Sequence, residues 1–97
     1  MTHKQLVDEL CLLAEHVGLT VRRENLDGAA GGLCRLKGRM VLLVDPSLPA
    51  DQQAEVLASA LVEADRAATA EGRAARLEEV YVLPQVRQYI EGFTLPH

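Results

Sequence analysis

The run from Met40 to Glu63, MVLLVDPSLPADQQAEVLASALVE, constrains this chain more than any other stretch. Met40 to Val44 is a continuous apolar segment of strand length, rich in β-branched residues and leucine. Pro46 and Pro49 end it. Pro49 is tolerated in the first turn of a following helix, where its missing N–H would lack a partner anyway. Asp51 favours a helix start through the dipole. Leu57, Ala60, Leu61, Ala64 and Ala68 then recur at helical spacing and define one apolar face. The alanines let other elements approach closely. A strand that turns sharply into a long helix must place that helix against its own sheet.

The segment before this run completes the sheet. Leu33 to Lys37 and Met40 to Val44 read as a β-hairpin, with Gly38-Arg39 as a type II′ turn. That turn sets Leu36 opposite Val41 and Cys34 opposite Leu43, so these four share one face. Leu33, Arg35 and Lys37 share the other with Met40, Leu42 and Val44. The first face is expected to be the core side. The second is not cleanly polar, so a partner or another part of the chain is expected to cover it.

Ahead of the hairpin, Thr2 and Gln5 form a capping-box pattern. Leu6, Leu10, Leu13 and Val17 follow as the stripe of an amphipathic helix that Gly18 ends. Leu19 to Glu24 reads as a short strand. Asn25 to Gly32 is a glycine-rich connection that matches neither a P-loop nor GxGxxG. Val80 to Leu83 is apolar and reads as a short strand or a turn of buried chain. Pro84 opens a last short helix, with Val86, Tyr89 or Ile90 facing inward and Gly92 closing it. Gly72 is expected to end or break the long helix, the Ala-rich stretch around it to form a loop, and the tail FTLPH to be loose.

Residues 1–97 thus form a single α+β domain. It has a small, mainly antiparallel three-stranded sheet, two main helices on one face and a short C-terminal helix. The predicted core is Leu6, Leu10, Leu13, Val17, Val21, Cys34, Leu36, Val41, Leu43, Leu57, Leu61 and Ala64. Aromatics are confined to Tyr81, Tyr89 and Phe93, so leucine, valine and alanine must supply most of the packing. Cys11 and Cys34 lack metal-type spacing and read as two reduced core thiols, with a disulfide as the alternative.

The formal charge of −4 is unevenly spread. Residues 22 to 39 carry +3 and residues 51 to 71 carry −4. A basic hairpin beside an acidic helix is either two solvated faces or a means of attracting a second copy. The basic residues have no aromatic among them and the chain is acidic overall, which argues against nucleic acid as a partner. No apolar run reaches membrane-spanning length. The N-terminus, MTHKQLVDEL, does not have the form of a signal peptide. The cytoplasm is the expected location.

Residues 8 to 63 resemble the ImmA/IrrE group of zincin-type metallopeptidases. The likeness rests on a first helix closing in HVGLTV, followed by GGLCRLKGRMVLLVDPSLPADQQAEVLASAL. In that group the helix after the LP carries HExxH, which binds zinc through two histidines and activates water with the glutamate. Here Ser59 takes the place of the first histidine, Ala60 of the general base and Glu63 of the second histidine. The resemblance therefore implies a peptidase-like fold without a competent zinc site. No metal, cofactor or catalytic residue is assigned.

Two functions follow as expectations. The first is a non-enzymatic protein-interaction or regulatory module, a homodimer or the partner of another protein. Its candidate interface is the second sheet face: Leu33, Arg35, Lys37, Met40, Leu42 and Val44. An apolar centre with a charged rim is the usual makeup of an association surface. The alternative is a hydrolase-like enzyme with a rebuilt site near Ser59 and Glu63, which needs His16 to converge on them.

Overall fold

The computed structural model of the chain describes residues 1–29, 31–70 and 82–93. Helix α1 spans His3–His16, β1 Thr20–Arg23, β2 Gly32–Leu36, β3 Arg39–Val44, α2 Ala50–Ala70 and α3 Pro84–Glu91. The expected helix end at Gly72, Val80, Tyr81 and the tail after Phe93 lie outside the described residues, as does the Ala-rich stretch beyond residue 70; its first residues, 68–70, are helical where a loop was expected. Val82 and Leu83 belong to no strand. Val82 is buried among the helices, and Leu83 is the N-cap of α3.

The capping box at the start of α1 is present. The Thr2 hydroxyl accepts from the Gln5 N–H at 3.1 Å, and the Gln5 side chain accepts from the Thr2 N–H at 2.8 Å. At the other end, the Gly18 N–H donates to the Glu15 carbonyl and the Leu19 N–H to the Ala14 carbonyl, with Gly18 at φ +88°. This is a Schellman motif, and Leu19 and Ala14, both buried, supply its apolar contact. It turns the chain directly from α1 into β1.

The sheet has the order β1-β3-β2. β2 pairs antiparallel with β3, but β1 pairs with β3 in parallel, so the sheet is mixed where a mainly antiparallel one was expected. The hairpin register also differs. Cys34 opposes Val41 and Leu36 opposes Arg39, a displacement of two positions from the expected pairing. The turn residues are Lys37 and Gly38, at φ +50° and +80°. Two successive positive φ values make a type I′ turn, which wants glycine second rather than first. Arg39 is thereby drawn into the strand.

A two-position displacement leaves each side chain on the face assigned to it, because strand side chains alternate with period two. Which face meets the helices is the larger correction. Leu42 and Val44 are 0% exposed and sit in the core with α1, α2 and α3, with Val21, Leu33 and Met40 packed against them. Cys34 and Leu43 are half-exposed, and Leu36 is 42% exposed. Strand β1 decides the matter. Its Val21 falls beside Leu42, whereas Thr20 and Arg22 fall beside Val41 and Leu43. The hairpin alone is nearly equally apolar on its two faces. The third strand adds Val21 to one, with Arg23 reaching out to α1 at its end, and the polar pair Thr20 and Arg22 to the other.

Helix α2 lies at the centre of the molecule. It packs on α1, on β2 and β3, and on α3. Ala54, Leu57, Ala58, Ala60, Leu61 and Val62 are all buried, a wider arc than one neighbour would cover. Its remaining solvent face is a stripe through Gln52, Glu55, Ser59, Glu63 and Arg66. Val86 and Ile90 of α3 close the core.

Candidate functional site

The expected interface is divided by the fold. Leu42 and Val44 are wholly inside the helical core, and Leu33 and Met40 pack against it, so these four do not form an open face. Arg35 and Lys37 remain exposed at the hairpin. The helix-free face carries Cys34, Leu36, Val41 and Leu43 instead, with Thr20, Arg22 and Arg39 around them. None of these residues joins the cluster built with the helices. Val41 is only 5% exposed because it stands in the middle strand, flanked by Thr20 and Cys34.

This surface therefore has an apolar centre and a basic rim. It is the composition expected of the opposite face, moved to the side that the helices leave open. Arg22 is paired with Glu24 at 3.3 Å, which tempers its charge. Among the described residues, neither Arg35 nor Arg39 is in an ion pair.

The outer edge of β2 adjoins a groove of about 450 Å³ between that strand and α2. Gly31, Gly32 and Leu33 line one wall, Glu55, Ser59, Ala60 and Glu63 the other, and Phe93 closes one end. The groove is acidic. Burial, together with the nearby carboxylates of Glu55 and Asp51, pushes the Tyr89 phenol up from its ordinary value. Tyr89 in turn packs on Phe93, with ring centroids 5.4 Å apart. A second cleft, of about 430 Å³, lies on the other side of the hairpin. It has Leu19, Met40 and Leu61 in its floor and Arg35, Arg39 and Asp65 on its walls.

The structure does not bring His16 into one groove with Ser59 and Glu63. Ser59 and Glu63 line the β2 groove, while His16 lines a separate one with Leu12 and Val86. The two grooves share no residue. Ala60 is buried. Among the described residues, no three His, Cys, Asp or Glu side chains are grouped so as to hold a metal ion. Both cysteines are free, Cys11 buried and Cys34 half-exposed.

Two residues that the sequence reading passed over hold the sheet and helices in place. Asp45, 2% exposed, accepts from the Ser47 N–H at 2.9 Å, the Ser47 hydroxyl at 2.7 Å and the Leu26 N–H at 3.1 Å. These bonds, that from the Ser47 hydroxyl foremost, hold its carboxyl below the usual carboxylate range. They also fasten the loop after β1 to the turn before α2. The Asp-Pro-Ser sequence carries the signal for this, since Asp and Ser bond neighbouring backbone in such turns. Arg23 reaches from β1 to α1, where its guanidinium meets the Cys11 sulfur at 3.1 Å and the Asp8 carboxylate at 3.5 Å.

No family model, curated protein or solved structure matches this chain. No described helix is long and apolar enough to cross a membrane.

Proposed function

We propose that this chain is a non-catalytic protein-interaction module that acts in the cytoplasm and self-associates through its sheet. The observation that carries the reading is the helix-free face. Leu36, Cys34 and Leu43 are left partly in water on a sheet whose other side packs on the helices. Antiparallel sheets ordinarily present polar residues on an unpacked side. Here leucine and valine stand there, with arginines at the margin, as in a surface that excludes water when a partner arrives. The likeness to a zincin scaffold whose metal ligands are replaced by Ser59 and Glu63 supports the same view, of a fold retained for contact rather than chemistry.

Sedimentation velocity across the micromolar range tests it. The wild-type chain is expected to pass from monomer to dimer as concentration rises. Leu36→Glu, at an exposed position that the core does not use, is expected to hold it as a monomer. A chain that stays monomeric at the highest concentration removes the proposal.

A further inference from the structure

We infer that two copies join edge to edge, β2 against β2 of the second copy in antiparallel register about a two-fold axis at Cys34. This rests on the self-association proposed above and names its seam.

The register follows from the turn. In a two-residue hairpin the pair closing the turn, Leu36 and Arg39, exchanges backbone hydrogen bonds, and bonded pairs then alternate along the strands. Cys34 and Gly32 therefore point their backbone groups inward at β3. Leu33 and Arg35 point theirs outward. Among the described residues, no backbone hydrogen bond beyond the strand ladders uses either of them. A short antiparallel strand on this edge must bond to those two residues, and the same strand from a second copy offers the same two. Three two-fold registers meet that condition. Centring on Arg35 sets two arginines directly opposite each other, which is repulsive. Centring on Leu33 sets Arg35 beside Gly31, which lies outside β2 and, at φ +82°, is not extended to pair, so only the Leu33 pair keeps its bonds. Centring on Cys34 sets each Leu33 opposite an Arg35 and each Gly32 opposite a Leu36.

The Cys34 register is also the one the charges favour. Arg35 lies on the helix side of the sheet, the side of its neighbour Met40. Set opposite Leu33 of the second copy, it stands over the groove that Leu33 lines with Glu55, Ser59 and Glu63. An exposed arginine outside any described ion pair meets an acidic groove, twice by symmetry. Asp65 lines the cleft on the near side of Arg35 and is the acid that competes for it within one chain. On the opposite side of the sheet, Leu36 fills the space above a glycine, and the two helix-free faces merge into one surface. The exposed β2 edge, which invites unspecific pairing, is thereby closed by a specific one.

Cys34 reports the register directly. In a directly opposed, non-hydrogen-bonded pair the Cα atoms stand about 4.5 Å apart, which lies within the disulfide range of about 4.4 to 6.8 Å. Diamide, which accepts the two electrons and two protons released by a thiol pair, is expected to convert the full-length dimer to a covalent one. Cys34→Ser removes the cross-link and Cys11, buried, does not replace it. Arg35→Glu is expected to weaken dimerisation at least about tenfold, because it sets like charges in the groove. Glu63→Arg in the same chain restores it. A dimer that fails to cross-link through Cys34, or that ignores the Arg35 and Glu63 reversals, overturns the edge register while self-association survives. A monomer at every concentration overturns both.

Discussion

Asp45 shows how one side chain joins two connections. Its carboxylate is the acceptor for Leu26 in the loop after β1 and for Ser47 in the turn before α2. Because these bonds favour the ionised form, the folded value lies below the unfolded one, which is near pH 3.9. The stability so gained is fully present above that unfolded value and is lost as pH falls through the folded value. Urea unfolding followed from pH 6 downwards should therefore show wild-type stability declining below about pH 4, with a smaller decline in Asp45→Asn. Asp45→Ala should be the more damaging variant at neutral pH, because it leaves three donors without their acceptor. Gly18 gives a second test at this scale. Nothing crowds the position, yet its φ is +88°, so Gly18→Ala is strained by backbone alone. A loss of about 1–2 kcal/mol in denaturant unfolding is expected.

At the level of elements, the hairpin separates what local sequence dictates from what the assembled sheet dictates. The amphipathic stripe of α1, its capping box and its glycine stop were legible because each is a local interaction within one turn of helix. The strand-to-helix turn at Pro46 and Pro49 was legible for the same reason. The division of hairpin side chains between two faces was legible too, since it needs only alternation. Which of those faces meets the helices was not, because Leu33, Met40, Leu42 and Val44 compete with Cys34, Leu36, Val41 and Leu43 on nearly equal terms. The parallel pairing of β1 with β3 settles the competition, and that pairing joins residues more than twenty apart in sequence. The candidate interface moved with it, while Arg35 stayed within it as a residue of the edge. Paired substitutions check the outcome. Leu42→Ala should cost about 2–5 kcal/mol, and Leu36→Ala less than about 1 kcal/mol. The reverse order would return the helices to the other face. The turn offers an independent gain. Lys37 holds φ +50° in a type I′ turn that prefers asparagine there. Lys37→Asn should stabilise the chain by about 0.5–1 kcal/mol, read from the denaturant midpoint at constant slope.

For the molecule as a whole, the opposed charges of hairpin and long helix acquire a purpose if two copies share one sheet. Within a chain, the Glu55–Ser59–Glu63 stripe runs beside the strand that carries Arg35, but Arg35 lines the cleft on the other side. Two-fold pairing moves each arginine to the acidic side of its neighbour. A small domain has little core to spare, so an added interface should register in its stability. Binding that favours the folded state raises the melting temperature by mass action. The wild-type midpoint is therefore expected to climb with protein concentration, and that of Arg35→Glu to begin its climb only at concentrations at least about tenfold higher. Added salt should reduce the slope for wild type, because the Arg35 contacts lie near the surface and are screened. It should not abolish it, since the backbone bonds along β2 and the contact of Leu36 with Gly32 carry no net charge. A midpoint independent of concentration in the wild-type chain, measured by calorimetry over the range where the dimer is expected, would leave the arginines of the hairpin as solvated charge and the outer edge of β2 without a second copy to pair with.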